Sequence, residues 1–242
     1  MKRILTGPRF VAEALKGRDA KSIHAIYVED PQRADVRPVV EAAERARLRV
    51  ETRSRAALDQ LSGGVKHQGV VAVAGEYRYV DLEKILDEAR QPPLLVALDE
   101  VTDPHNFGAI VRSAVGLGAD GLVVPKHRSA PVSAVVVRAS AGATEHARIA
   151  EVTNLQRTLH DLGDRGLQIV GLDGDGTTSI AELPPAPGGR VLVVGSEGAG
   201  LRRMVRERCT VIARIPQDGP VESFNASVAA AIALYECARQ RA

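Results

Sequence analysis

The sequence predicts an α/β protein in two parts: a small N-terminal α/β domain, then a larger domain built on a parallel sheet with helices on both faces. Three observations predict it. Short runs rich in Val, Leu and Ile alternate with helix-period segments along the chain. Leu94-Leu95-Val96-Ala97-Leu98 is apolar without a break, as in a strand buried on both faces. A charged stretch, Gly75–Pro93, ends in Gln91-Pro92-Pro93 and separates two such series. The expected division is residues 1–75, a helical linker over 76–93, and a second domain over 94–242.

In the first series a short helix near Phe10–Lys16 precedes an apolar strand, Ile23–Val28. A helix near Val36–Ala46, a strand at Leu48–Thr52, a helical turn and the strand Val70–Ala74 follow. In the second series the strand Leu94–Leu98 leads to a helix over about Phe107–Gly116 and a strand at Gly121–Val124. Helices follow at Val132–Ala139 and Leu155–Leu162, with strands at Gln168–Leu172, Val191–Val194 and Val211–Ile215. A long helix, about Ser223–Arg239, closes the chain. Strands separated by helices pair in parallel, because a parallel neighbour needs a crossover connection. There is no internal repeat and no low-complexity tract.

The 242 residues are 45% hydrophobic and 26% charged, enough apolar matter to bury a core. Aromatics are 3%, with no Trp, so packing rests on aliphatic side chains. That argues against a single-strand RNA reader that stacks bases on exposed rings. The N-terminus carries no long apolar run, and no stretch is long and apolar enough to span a membrane, so a cytoplasmic protein is expected. Cys209 and Cys237 stand far from any metal-like spacing and read as reduced, buried thiols. The six histidines show no HExxH or comparable metal motif, so no metal is expected. The net charge of +2 hides an asymmetry: residues 1–75 hold 14 Lys+Arg against 9 Asp+Glu, whereas the remainder holds 18 against 21. Arg45, Arg47, Arg49, Arg53 and Arg55 crowd one stretch of the basic half. They read either as a polyanion contact or as a solvated helix face and loop.

Three strand ends of the second domain carry unusual residues, and in parallel sheets ligands sit beyond such ends. In Leu98-Asp-Glu-Val-Thr-Asp-Pro-His-Asn-Phe-Gly-Ala-Ile-Val-Arg112, Asn106 stands where a helix N-cap is expected. Gly108 and Ala109 keep the first turn bare, and Arg112 follows six residues after Asn106; a capped helix with a surface arginine would read the same. In Val193-Val-Gly-Ser-Glu-Gly-Ala-Gly-Leu201 a strand enters a glycine loop that opens a helix, where backbone N–H groups are free to meet a ligand. Glu197 inside that loop repels phosphate and suits a hydroxyl or cationic partner. A plain glycine turn is the simpler reading. In Ile215-Pro-Gln-Asp-Gly-Pro-Val-Glu-Ser-Phe-Asn-Ala-Ser227 the strand stops at Pro216, and the final helix starts near Ser223 with Asn225 in its first turn. Each also reads as an ordinary cap or first-turn residue.

Taken together and in order, Asn106-Phe-Gly-Ala-Ile-Val-Arg112, Gly195-Ser-Glu-Gly198 and Ile215-Pro through Ser223-Phe-Asn225 resemble the three motifs of the SPOUT superfamily, specifically its SpoU/TrmH-type RNA ribose 2′-O-methyltransferases. Val124-Pro-Lys-His-Arg-Ser129 and Ala141-Gly-Ala-Thr-Glu145 are similar to the same family. His67-Gln-Gly-Val-Val-Ala72 resembles the end of its ribosomal-protein-like (L30e-like) substrate-binding domain. The nearest shape is that of the members acting on a guanosine in the peptidyl-transferase P loop of 23S ribosomal RNA. Gln217, Phe224 and Glu222 depart from the family pattern, which usually has Met, Leu and a small residue there.

The resemblance implies a C-terminal trefoil knot, S-adenosylmethionine as cofactor, RNA as substrate (23S rRNA first, transfer RNA as the alternative), a homodimer, and no metal. It implies Asn106, Arg112, Glu197, Ser223 and Asn225 as catalytic residues. Leu172, Gly195, Gly198, Ile215, Phe224 and Asn225 would hold the cofactor. Arg112 carries the central role; a guanidinium with pKa above ~12 is a poor base, which favours phosphate binding and alkoxide stabilisation. Two other readings compete. A dinucleotide oxidoreductase fits poorly, since Gly195-Ser-Glu-Gly198-Ala-Gly200 is not G-x-G-x-x-G and lies near the end of the sheet. A non-catalytic RNA-binding protein would share the basic front half but has no need of Asn106, Arg112 and Glu197 together.

Overall fold

The computed structural model describes residues 3–220 and 223–241. The chain begins with β1 (Arg3–Thr6), α1 (Pro8–Lys16), β2 (Ile23–Val28), α2 (Arg37–Arg45), β3 (Val50–Thr52), α3 (Arg55–Ser62) and β4 (Val70–Ala74). It continues through α4 (Leu82–Asp87), β5 (Leu94–Leu98), α5 (Pro104–Gly116), β6 (Gly121–Pro125), α6 (Ala134–Ala139), β7 (Ile149–Val152), α7 (Leu155–Asp164) and β8 (Gln168–Leu172). It ends with β9 (Thr178–Ser179), β10 (Arg190–Val194), α8 (Arg203–Arg206), β11 (Val211–Arg214) and α9 (Ala226–Arg239). Two compact units result: Met1–Arg78 with Val132–His146, and Tyr79–Pro131 with Ala147–Ala242.

The first unit holds a four-stranded sheet in the order β1-β4-β2-β3. β4 runs antiparallel to both β1 and β2, while β2 and β3 are parallel. β1 is not among the expected strands; its four residues are too short for a period to show, and β4 supplies its pairing. The His67-Gln-Gly turn ahead of β4 is built by its own side chain. The buried ring of His67 accepts the Gly69 N–H at Nδ1 (3.0 Å), so Nε2 carries the proton toward Asp59 Oδ1 (3.0 Å). Arg45, Arg47, Arg49, Arg53 and Arg55 are all exposed. Glu51 pairs with Arg53 at 2.7 Å and Arg49 at 3.7 Å, and the Arg53 guanidinium lies 5.8 Å from the Tyr27 ring centre.

Residues 132–146 join this unit through buried charge. Arg3 donates to Glu145 (2.9 Å), Asp19 (3.0 Å) and the Ser22 hydroxyl (3.0 Å), and the three charged side chains are all at most 4% exposed. Burial raises the Glu145 carboxyl above the usual carboxylate range, against the lowering pull of Arg3. Removing one member of such a cluster leaves an uncompensated buried charge. Arg3→Met is therefore expected to destabilise the first unit by about 3–5 kcal/mol in denaturant unfolding. A loss below about 1 kcal/mol, the range of exposed pairs, would contradict this reading of the cluster.

The second unit is a seven-stranded sheet in the order β7-β6-β5-β10-β8-β11-β9, with every pair parallel. The central strands β5, β6 and β10 are buried at every residue, as the unbroken apolar run at Leu94–Leu98 predicts. α9 packs against α5 and β10, while α7 packs against α8, β6 and β8. β7 and β9, at the two edges, have no expected counterpart. The helix after the glycine loop, α8, has only four residues. Cys237 is buried and Cys209 partly so; burial pushes their thiols up to about 11 and about 12 respectively, and neither forms a disulfide. Among the described residues no helix is long and apolar enough to cross a membrane.

Candidate active site

The carboxyl ends of β10, β8 and β11 open on a cavity of about 520 Å³. Its lining includes Leu172, Gly195, Glu197, Gly198, Ile215, Ser223, Phe224 and Asn225. Eight of the ten candidate residues thus converge on one space, drawn from three separate stretches of chain. Asn106 and Arg112 are not part of the lining. Asn106 reaches it through a bond to Glu197, whereas Arg112 is exposed further along α5. Glu222 lies outside the described residues.

The glycine loop is fixed sterically. Gly195 ends β10 where a Cβ would fall 2.2 Å from the carbonyl carbon and oxygen of Gly200. The close approach is held by paired backbone bonds: Ser196 N–H donates to Gly200 O (3.1 Å), and Gly200 N–H to Ser196 O (3.0 Å). Gly198 and Gly200 take left-handed φ of 81° and 65°, open to glycine at no steric cost. Below the loop, the fully buried Asp99 accepts from the Arg202 backbone N–H (2.8 Å) and Nε (2.7 Å). The Asp99 hydrogen bond, joined by the nearby Glu100 charge, raises the Arg202 guanidinium above its ordinary value. The Asp99 backbone N–H donates to Val194 O (2.8 Å), so this one residue ties β5, β10 and the loop's exit together.

Two helix starts differ from expectation, and the differences make the site. α5 begins at Pro104, not near Phe107, because the Asp103 side chain caps it by accepting the Asn106 N–H (2.9 Å) with Pro104 at the first turn. Asn106 is therefore not the N-cap, and its amide is free. α9 begins at Ala226, and its cap is Asn225, not Ser223; Asn225 Oδ1 accepts from Ser227 N–H (2.9 Å) and Oγ (2.6 Å). Ser223 is an exposed residue of the preceding loop.

The freed amides form a directed chain. Asn106 Nδ2 donates to Glu197 Oε2 (3.0 Å), and Asn106 Oδ1 accepts from Asn225 Nδ2 (3.0 Å), which also lies 3.5 Å from Glu197 Oε1. A carboxylate only accepts, so it fixes which end of the Asn106 amide faces it. That in turn fixes Asn225, whose remaining oxygen caps α9. Orientation passes from Glu197 to the last helix without an ambiguous bond.

Sequence reasoning missed the Asp99–Arg202 clamp and the Asp173 and Asp175 carboxylates in the lining, Asp173 being paired with Arg206. The available signals were a carboxylate directly after the buried strand β5, and the Gly171-Leu-Asp-Gly-Asp-Gly176 run at the end of β8. Among the described residues no three His, Cys, Asp or Glu side chains gather as a metal ion would require.

The chain is similar to known proteins. Residues 93–235 match the SpoU rRNA methylase family, and residues 4–80 match the RNA 2′-O ribose methyltransferase substrate-binding family. A tRNA/rRNA methyltransferase of Mycolicibacterium vanbaalenii is 49% identical over 187 residues, 76% of this chain and 59% of that protein. The chain thus spans less than two thirds of that relative's length. The putative TrmH family tRNA/rRNA methyltransferase YacO of Bacillus subtilis is 38% identical over 97% of this chain and 94% of its own. The crystal structure of the SpoU methyltransferase AviRb from Streptomyces viridochromogenes in complex with AdoMet superposes with a TM-score of 0.82. It is 27% identical, over 99% of this chain and 90% of that one. The chain belongs to the SpoU methylase family.

Proposed function

We propose that this protein transfers a methyl group from S-adenosylmethionine to a ribose 2′-hydroxyl of RNA, with a guanosine of 23S ribosomal RNA as the favoured target. The observation that carries the reading is the Asn106–Glu197–Asn225 chain on the rim of a glycine-floored cavity. The cavity suits this cofactor chemically. Leu172, Ile215 and Phe224 offer apolar surface for a flat ring, and the backbone of the Gly195–Gly200 loop offers polar groups at close range. Asp173 is neutralised by Arg206, but Asp175 and Glu197 leave the lining an acidic character that suits a sulfonium and disfavours the pyrophosphate of a dinucleotide.

The bound cofactor supplies an electrophilic methyl group. The protein's own work is to align the ribose and manage its proton. Asn106 and Asn225, locked in one orientation, position the Glu197 carboxylate as a hydrogen-bond acceptor for a ribose hydroxyl. Ser223 stands at the same rim as a second polar contact. Arg112 has no hydrogen bond or ion pair among the described residues, which leaves its fork available for an RNA phosphate and a developing alkoxide.

The basic segment 1–75 holds the RNA in this reading, with 76–93 as linker and 94–242 as catalytic domain in the cytoplasm. The family match over residues 4–80 and the exposed arginines support it. The L30e-like form of the front domain belongs to the same proposal, as does a C-terminal trefoil knot, which adjacent β10, β8 and β11 followed by α9 would accommodate. So does a homodimer. α9 buries Ala230, Ala233 and Leu234 and leaves Val228 and Tyr235 exposed, giving it a second apolar face.

The test is transfer of labelled methyl from S-adenosylmethionine to total RNA lacking the modification. Label in 23S RNA is expected. Label in transfer RNA would keep the chemistry and overturn the substrate. No labelled RNA, assembling ribosomal subunits included, with cofactor still bound, would return the protein to the RNA-binding alternative.

A further inference from the structure

A second cavity, of about 380 Å³, opens at the carboxyl ends of β5, β6 and β7 in the same unit. Its lining sets one carboxylate, Glu100, against His127, Arg128, Arg202 and Arg203, over apolar walls that include Leu155 and Met204. β5 and β10 are adjacent and in parallel register, with Leu98 opposite Val194. Glu100 and the glycine loop therefore leave neighbouring strands about 4.8 Å apart. The chain passes from the lining of the first cavity at Gly195–Gly200 to that of the second at Arg202, with Leu201 between them.

The chemistry of this second space is distinct. Arg128 Nη1 and Arg202 Nη1 each lie 3.1 Å from Glu100 Oε1; Arg202 is held on its other nitrogens by Asp99, so Arg128 is the fork with donors left for a ligand. Glu100 and Arg128 both hold left-handed backbone, φ 57° and 60°, a conformation costly for side-chain-bearing residues and frequent where a site constrains them. Leu155 and Val205 are buried, whereas Met204 is 52% exposed at the lip, a polarisable thioether with nothing over it. Glu100 offsets only part of the arginine charge, so the cavity favours an electron-rich partner, and its apolar walls give room for more than a phosphate. A flat heterocycle with donors next to acceptors fits both the apolar walls and the polar rim. Arginine forks pair with the O6/N7 edge of guanine, and a carboxylate accepts from base N–H groups. The volume lies near the lower end of ligand pockets, roughly 300–1,000 Å³, and suits one base better than a longer ligand.

We infer that this cavity receives one nucleobase of the RNA, beside the ribose held at the first cavity, and selects the nucleotide that is methylated. This rests on the methyltransferase reading above. It gives the Lys126-His127-Arg128 segment a task that the transfer step leaves unassigned.

The test compares the full chain with Arg128→Ala and Met204→Trp, both at exposed side chains. It measures kcat/KM for total RNA lacking the modification and, separately, the Kd for S-adenosylmethionine. Both variants are expected to lose at least tenfold in kcat/KM, Arg128→Ala by lost base contacts and Met204→Trp by filling the space, with cofactor Kd within twofold of the parent. Both variants within twofold of the parent in kcat/KM would overturn the inference. So would a loss in Arg128→Ala alone, which marks a phosphate contact, or a parallel loss of cofactor affinity, which marks damage carried into the glycine loop. A parent chain that methylates no RNA would instead strike the underlying reading.

Discussion

Arg112→Ala is expected to lower kcat for RNA methylation by roughly 10²–10³-fold, the cost of removing one donor to the negative charge that develops on the ribose oxygen. Arg112→Lys is expected to lose tenfold or more. It keeps the charge but not the planar fork, and one charge-assisted bond is worth about 1.5–3 kcal/mol. Neither variant should alter S-adenosylmethionine affinity, because Arg112 does not line the cavity. Stability should also hold, since the side chain is exposed and no bond to it is lost among the described residues. The discriminating measurement is a pH profile of Arg112→Lys. Near-full activity at neutral pH would show that a point charge suffices, and the fork-based role would be wrong.

Gly195→Ala should nearly abolish cofactor binding. Its Cβ would meet Gly200 backbone atoms at 2.2 Å and the Leu201 nitrogen at 2.6 Å, where only backbone can yield. The Ser196–Gly200 pairing would open and the cavity floor with it. Overpacking of this kind costs about 1–3 kcal/mol in stability. A cofactor Kd raised by at least tenfold, read by calorimetry, is the expected result. Gly198→Ala is the contrast: φ is 81°, but nothing lies within 4 Å of an added Cβ. It should cost only the left-handed strain, about 1–2 kcal/mol. Equal effects from the two substitutions would show that conformational freedom, not close approach, is what the loop requires.

Much of this was legible in the sequence because the informative features are local. Leu94–Leu98 announces a doubly buried strand by composition alone, and three motif-bearing strand ends announce where ligands gather. The helix starts were legible in principle: Asp103-Pro104 is a cap followed by a first-turn proline, and reading it would have released Asn106 from the capping role. The sequence could not show what that release accomplishes, because Asn106 meets Glu197 91 residues away and Asn225 119 residues away. β1, β7 and β9 are two to four residues long, too short for a period of two to register, and stand at sheet edges where pairing partners decide. The buried ion pairs leave no periodic trace either. Asp99 and Arg202 are 103 residues apart and Arg3 and Glu145 142 apart, so each looks like a surface charge until the fold joins them.

The position of the transferred methyl group tests the site most directly. The asparagine-oriented carboxylate is read as a receiver of a ribose hydroxyl, not of a base nitrogen. A methylated 2′-oxygen cannot attack its neighbouring phosphodiester, so labelled RNA digested in alkali should release the label in a resistant dinucleotide. That is the expected result for the wild-type chain. Label recovered in alkali-sensitive mononucleotides, carried on a base, would contradict the assignment of Asn106, Glu197 and Asn225 to a ribose.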